Sequence, residues 1–232
     1  MLLKRIGVIL TISCGFTGCT QTPPISKTTS TRPIQPTTFS PQSNLLPPAS
    51  YQAWLLQSDH QFKVQAYKNF LTQQRVEFVV PDFQMFRSAR DWQQCHYDEY
   101  DVPDPSVWGN AAATLRLLKH LHDEGIVSNI EVTSSYRSPY LNRCAGGAKS
   151  SSHLLNSAID FRIGSPQPSE QEQLEIQASK LKLCKFWQQQ GQNWRMGLGI
   201  YNTGQIHIDT QGFRTWGPDH TWHSSLCGEI IS

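Results

Sequence analysis

Between Trp108 and Glu124, apolar side chains fall at Ala112, Leu115, Leu118 and Leu121. That spacing of three lines one face of an α-helix, and Gly125 follows where a helix closes on a left-handed residue. Ser169 and Glu172 form a capping box for a second helix, running to about Gln190 and closed by Gly191. Its expected buried side is Leu174, Leu181, Cys184 and Trp187. Two weaker helical patterns precede these. One runs from a cap at Ser58 or Asp59 to about Gln74, with Phe62, Ala66, Phe70 and Leu71 on its inner face. The other spans Phe83 to Gln94, with Phe86, Ala89 and Trp92 inward and Arg87 and Arg90 in solvent. His120 and His122 are two positions apart on a helix, so they face different ways and read as surface residues.

Strand patterns occupy the rest. Glu77–Val80, Ile130–Ser134, Ala158–Arg162, Met196–Tyr201 and Gln205–Thr210 are short and apolar or alternating, and Pro81 stops the first. Asn202-Thr203-Gly204 is a three-residue hairpin loop between the last two. Tyr136–Pro139 reads as a turn and Gly146–Ser152 as a small, flexible loop. The expected fold is α+β, an antiparallel sheet flanked by helices.

Composition divides the chain. Residues 1–18 carry Lys4 and Arg5 ahead of an apolar run from Ile6 to Phe16, the pattern of an export signal. Phe16-Thr17-Gly18-Cys19 resembles the lipobox of bacterial lipoproteins, which implies lipidation of Cys19. The alternative is a cleaved secretory signal that leaves a free cysteine. Thr20 after the Cys, rather than Asp, implies the periplasmic face of an outer membrane in a Gram-negative envelope. Residues 19–50 are rich in Pro, Ser, Thr and Gln and read as a tether. At roughly 3 Å per residue it reaches on the order of 90 Å. Residues 51–232 are one domain's worth of chain.

Lys4 and Arg5 account for the net charge of +2, and the rest of the chain is neutral. Neutrality gives no electrostatic basis for nucleic acid as partner, and the domain is expected to be a monomer. Cys95, Cys144, Cys184 and Cys227 are widely spaced and predict two disulfides. Three pairings remain open. No C-x-x-C pair is present to favour a cysteine zinc site.

The candidate chemistry lies between Ser134 and Asp209. His153 and Asp160 are seven residues apart, Arg137 precedes them, and Ile206-His207-Ile208-Asp209 supplies a second His. Alternation turns Ile206 and Ile208 to the core, and His207 and Asp209 together to the other face. Two His and one carboxylate are a catalytic zinc donor set that leaves one coordination position open. Taken singly, each has a plainer reading: a hydrogen-bonded histidine, or an aspartate paired with an arginine.

Ser151-Ser152-His153-Leu154-Leu155-Asn156-Ser157-Ala158-Ile159-Asp160 resembles the S-x-H-x-x-G-x-A-x-D motif of the D-alanyl-D-alanine carboxypeptidase and murein endopeptidase family of zinc peptidases (peptidase family M15). Ser134-Ser135-Tyr136-Arg137-Ser138 resembles its S-G-Y-R-S turn, and Ile206–Asp209 its H-x-D strand. The resemblance covers about Val80 to Gly217 and implies the fold shared with hedgehog signalling domains. It implies His153, Asp160 and His207 as zinc ligands, Arg137 as the cation that holds substrate or stabilises an oxyanion, and Ser151 as a wall of the site. Arg214 and Trp216 resemble a family tail that borders the cleft, with Arg214 available to peptide carboxylates.

Two positions depart from the family pattern. Asn156 replaces the motif's Gly, and Asn is the side chain that best tolerates the left-handed region. Gly204 stands where carboxypeptidases and dipeptidases of the family carry an acid. Asp209 is therefore the candidate proton shuttle, with a second role open to it: orienting His207. His220 and His223 read as tail residues, available as substitutes. The expected activity is zinc-dependent hydrolysis in peptidoglycan peptide stems or cross-links. Endopeptidase action is favoured over D-alanine carboxypeptidase action, and a non-catalytic wall-binding lipoprotein is the alternative.

Overall fold

The computed structural model describes residues 46–76 and 78–229. The expected signal, Cys19 and nearly all of the tether lie outside the described residues. Helix α1 (Ala49–Leu55) begins just ahead of the expected boundary at Tyr51 and buries Tyr51 and Trp54. Helix α2 (His60–Gln73) turns Val64, Tyr67 and Leu71 inward, not the expected stripe, and Phe62 is 76 % exposed. Tyr67 sets that rotation. Its ring packs on Phe86 and Trp108 while its hydroxyl accepts a hydrogen bond from Asn156 at 3.0 Å.

Phe78 to Val80 form no strand, and Glu77 lies outside the described residues. The helix expected over Phe83–Gln94 is a single turn, α3 (Asp82–Met85). Cross-chain hydrogen bonds overrule helical spacing here. Ser88 N donates to Glu99 O, Asp101 N to Phe86 O and Ser135 N to Arg87 O, which draws Phe86–Ser88 out of the helix and leaves residues 90–96 as turns. Arg87 is consequently not in free solvent; it reaches Glu131 at 2.6 Å and the Val132 carbonyl at 3.0 Å. Arg90 is exposed, as expected.

Helix α4 (Trp108–Asp123) buries the four expected apolar positions together with Leu117, and Gly125 after it has a φ of +64°. His120 is not a surface residue: it is half-buried and stacked on Trp194. Strand β1 (Ile130–Ser134) leads to a short helix, α5 (Pro139–Cys144), where only a turn was expected. Ser138 caps it and Pro139 opens it, an initiation signal present in the sequence. Strand β2 (Ala158–Ile163) follows, then α6 (Glu170–Gln190) with its capping box formed. Leu174 and Leu181 are exposed. The inner face of α6 is Ile176, Lys180, Leu183, Cys184, Phe186 and Trp187. Lys180 reaches past the helix to the Tyr201 and Asn202 carbonyls, and so pins the hairpin of β3 (Gly197–Ile200) and β4 (Gln205–Asp209). Strand β5 (Arg214–Trp216) and helix α7 (Leu226–Glu229) complete the chain.

The sheet has the order β1-β2-β4-β3-β5. It is mixed, not wholly antiparallel, because β5 runs parallel to β3 at the edge. One face carries Val132, Ile159, Phe161, Leu198, Ile200, Ile206 and Ile208, all buried in one core with α4 and α6. Each such side chain contributes about 1.5–3 kcal/mol over an exposed position. The opposite face, which carries Asp160, Arg162, Gln205, His207, Asp209 and two glycines, holds the site.

The cysteines pair Cys95–Cys144 and Cys184–Cys227. The second ties α6 to α7 across 43 residues and is fully buried. Replacing Cys184 and Cys227 by Ala is expected to lower unfolding free energy by about 2–5 kcal/mol in urea titration. A change under about 0.5 kcal/mol would show that burial alone holds α7.

Candidate metal centre

Strand register alone builds most of the site. Ser134 pairs with Asp160, Asp160 with His207, His207 with Gly199, and Gly199 with Trp216. Opposed residues share a face, so these five form one row across all five strands. Gly197 begins a second row, with Asp209 on one side and Arg214 on the other. The two glycines leave the centre of that face bare, and their neighbours meet above it. A Cβ on Gly199 would lie 2.6 Å from Trp216 Nε1, and one on Gly197 would lie 2.4 Å from Asp209 Oδ2. Alternate glycines inside a strand signal such close approach.

His153 comes from the loop before β2. Asn156 turns that loop at a φ of +53°, in the left-handed conformation expected of it. Ser151 Oγ accepts from His153 N at 3.3 Å, so its observed bond shapes the loop. The His153 ring donates from Nδ1 to the Ser135 carbonyl, which fixes its tautomer and leaves a lone pair on Nε2. That buried Nε2 lies 3.2 Å from Asp160 Oδ1 but makes no hydrogen bond. Nδ1 of His207 is 2.8 Å from the same Asp160 oxygen, and its Nε2 is 3.0 Å from Asp209 Oδ2.

With Nε2–H of His207 donated to Asp209, three lone-pair atoms of His153, Asp160 and His207 converge. Their ligand atoms lie within 4.8 Å of one another. Such a cluster is repulsive unless a cation lies among the three, and two imidazoles with a carboxylate suit zinc. The residues present fit the metal.

Burial and neighbouring charge shift all three groups. Burial pushes the His153 pKa down, and the charge on Asp160 only partly offsets it. Burial alone would raise the Asp160 pKa; His153, His207 and Arg137 outweigh it and hold the carboxyl well below its usual range. His207 moves up, because Asp160 and Asp209 outweigh its burial.

Arg137, expected as the cation toward substrate or an oxyanion, turns two of its nitrogens onto the site itself. Its Nη2 bonds Asp160 Oδ2 and its Nε bonds Ser134 Oγ at 2.8 Å, so Asp160 Oδ1 faces the histidines. Asp209 has the orienting geometry rather than that of a shuttle. It is 0 % exposed, and it accepts from His207, from Gln211 N and from both Nη atoms of Arg214. Arg214 thereby braces Asp209, and its side chain, 44 % exposed, lies over the Trp216 ring. Trp216 borders the site as expected, with its ring 5.1 Å from that of His207. His220 and His223 are exposed, and His220 meets Tyr201 edge-on at 5.8 Å. The reading from sequence missed Gly197, Gly199, Ser135 and Tyr201. The glycines were legible as an alternate pair in a strand; Ser135 acts through its carbonyl, which no side-chain pattern reveals.

A protein-family model described as Peptidase M15 matches residues 84–209, more than half of the chain and inclusive of all three convergent residues. Searches of curated proteins and of solved structures return no match.

Proposed function

This chain belongs to the M15 peptidase family, and on that premise we propose that it is a zinc-dependent peptidase of the bacterial cell wall. Its substrate is peptidoglycan, cut at amide bonds in peptide stems or cross-links, with endopeptidase action on cross-links as the first choice. The observation that carries this reading is the convergence of His153 Nε2, Asp160 Oδ1 and His207 Nδ1 on one point. Zinc, when bound, supplies Lewis-acid chemistry that polarises a carbonyl and acidifies water.

The chain's own residues hold that centre in place. His153, Asp160 and His207 are the ligands. Ser135 and Asp209 fix the two imidazole tautomers. Arg137 sets the carboxylate's orientation, and His207, the Gln211 N–H and Arg214 together keep Asp209 charged and still. Ser151 and Trp216 border the substrate. A lipid at Cys19 and the tether of residues 19–50 hold the domain at the periplasmic face of an outer membrane, within reach of a polymeric substrate.

A second reading, a module that binds the wall without cutting it, has one observation in its favour. A Cβ on Gly204 would lie 2.2 Å from the Ile163 carbonyl oxygen, so this position has no space for an acid. Asp209, the acid beside His207 on this face, is fully buried.

Zinc-loaded full-length protein incubated with purified cross-linked muropeptides should yield products that disappear with chelator and with His153→Ala. Product masses then separate cross-link cleavage from loss of a terminal D-alanine. One zinc per chain with no cleavage of any muropeptide would select the binding module.

A further inference from the structure

Around the convergence point most polar hydrogens already have acceptors. His153 Nδ1–H is on Ser135, His207 Nε2–H on Asp209, and Arg137 Nε and Nη2 are on Ser134 and Asp160. Tyr201 is a further donor on this face. It continues the alternation that puts Gly197 and Gly199 on the site face, and its backbone N–H bonds the Gln205 carbonyl at 3.2 Å. Its hydroxyl oxygen accepts from Trp216 Nε1 at 3.2 Å. Among the described residues, the hydroxyl's own proton meets no acceptor. The same Trp216 ring packs on His207, so the half-buried phenol is held beside a metal ligand with a hydrogen to offer.

We propose that Tyr201 is a catalytic residue that donates a hydrogen bond to the scissile carbonyl oxygen of a bound peptide as that oxygen gains negative charge. Trp216 is its positioning residue. The inference rests on the peptidase reading above. The phenol keeps its proton throughout, so no bond to hydrogen breaks and no co-reactant is needed. Burial and, after it, the charge on Asp160 push the Tyr201 pKa up against the pull of Trp216, so the group is a neutral donor at neutral pH. A donor fixed before the reaction favours the charged transition state over the neutral ground state. Arg137 Nε and Nη2 are engaged with Ser134 and Asp160, so the phenol adds a neutral donor on the Trp216 side of the centre.

The test compares zinc-loaded full chain with Tyr201→Phe, Trp216→Phe and the double variant. Three quantities are measured: zinc per chain, kcat and KM on a cross-linked muropeptide, and calorimetric affinity for a phosphinate dipeptide whose tetrahedral anion mimics the charged carbonyl. Tyr201→Phe is expected to keep one zinc per chain and a KM within about threefold. Its kcat and its phosphinate affinity should both fall on the order of 100-fold. Trp216→Phe should lose less, and should add little to Tyr201→Phe, because it acts through the phenol. Wild-type kcat and phosphinate affinity in Tyr201→Phe would overturn the proposal, as would a rise in KM alone. A wild-type chain that holds zinc yet cleaves nothing overturns the peptidase reading and this role with it. That outcome is distinct from an active wild type with an indifferent variant.

Discussion

Asp160→Ala should leave the protein without zinc and without hydrolytic activity. Asp160 is the hub of the centre: His153 and His207 both face its Oδ1, and Arg137 bonds its Oδ2. Removing the carboxylate takes away one ligand and, among the described residues, the only anion paired with a guanidinium that is 12 % exposed. Breaking a buried pair on one side costs about 3–5 kcal/mol, more than the pair itself contributes, because a cation is left uncompensated. The metal-free variant should therefore unfold earlier than metal-free wild type, and added zinc should not restore it. Wild type should be stabilised by zinc in proportion to the logarithm of its concentration. Elemental analysis gives the zinc content, and thermal melts with and without chelator give the rest. One zinc per chain in Asp160→Ala, with turnover intact, would remove the three-residue centre from the account.

The second large effect comes from a position with no side chain. Gly197→Ala puts a Cβ 2.4 Å from Asp209 Oδ2 and 2.7 Å from its Cγ. Asp209 has nowhere to go, since it is fully buried and held by His207, Gln211 and Arg214. The carboxylate must tilt off His207, which frees the imidazole that it orients. Overpacking of this kind costs about 1–3 kcal/mol, and loss of an orienting partner typically lowers metal affinity 10- to 100-fold. Gly109→Ala is the control. It lies in α4 with nothing within 4 Å of a Cβ, and should be neutral or stabilising by up to about 1 kcal/mol. Equal zinc affinity in Gly197→Ala and wild type, by competition with a chromogenic chelator, would mean that Asp209 does not orient His207.

What could be read from the sequence was whatever depends on local order. The ligand strands β2 and β4, the left-handed Asn156 and the capping box of α6 follow from alternation and capping chemistry, and the structure has all three. The grouping of His153, Asp160 and His207 was legible from their donor types and from the resemblance to the family motif, and the pairing of β2 with β4 makes Asp160 and His207 direct neighbours. Other features depend on distant partners. Phe83–Gln94 has helical spacing, yet Glu99 and Ser135 take its backbone hydrogen bonds. The α2 stripe rotates because Tyr67 has Asn156 to bond, 89 residues away. Asp209 looked like a cleft acid since alternation gives its face but not its depth; Arg214 and Gln211 close over it. The parallel edge strand β5 needed the bare glycines of β3 to make sense, because Arg214 and Trp216 cross above them.

The direct opposition of Asp160 and His207 across β2 and β4 makes metal uptake a proofreader of the fold. A slip of one residue between these strands would bring Ile206 or Ile208 to Asp160 and turn His207 toward the core. A misthreaded chain would thus offer the ion no chelate, however complete its sequence. Zinc stoichiometry in a preparation would therefore count the molecules whose strands are in register, and an ion held there would lock that alignment against later slippage.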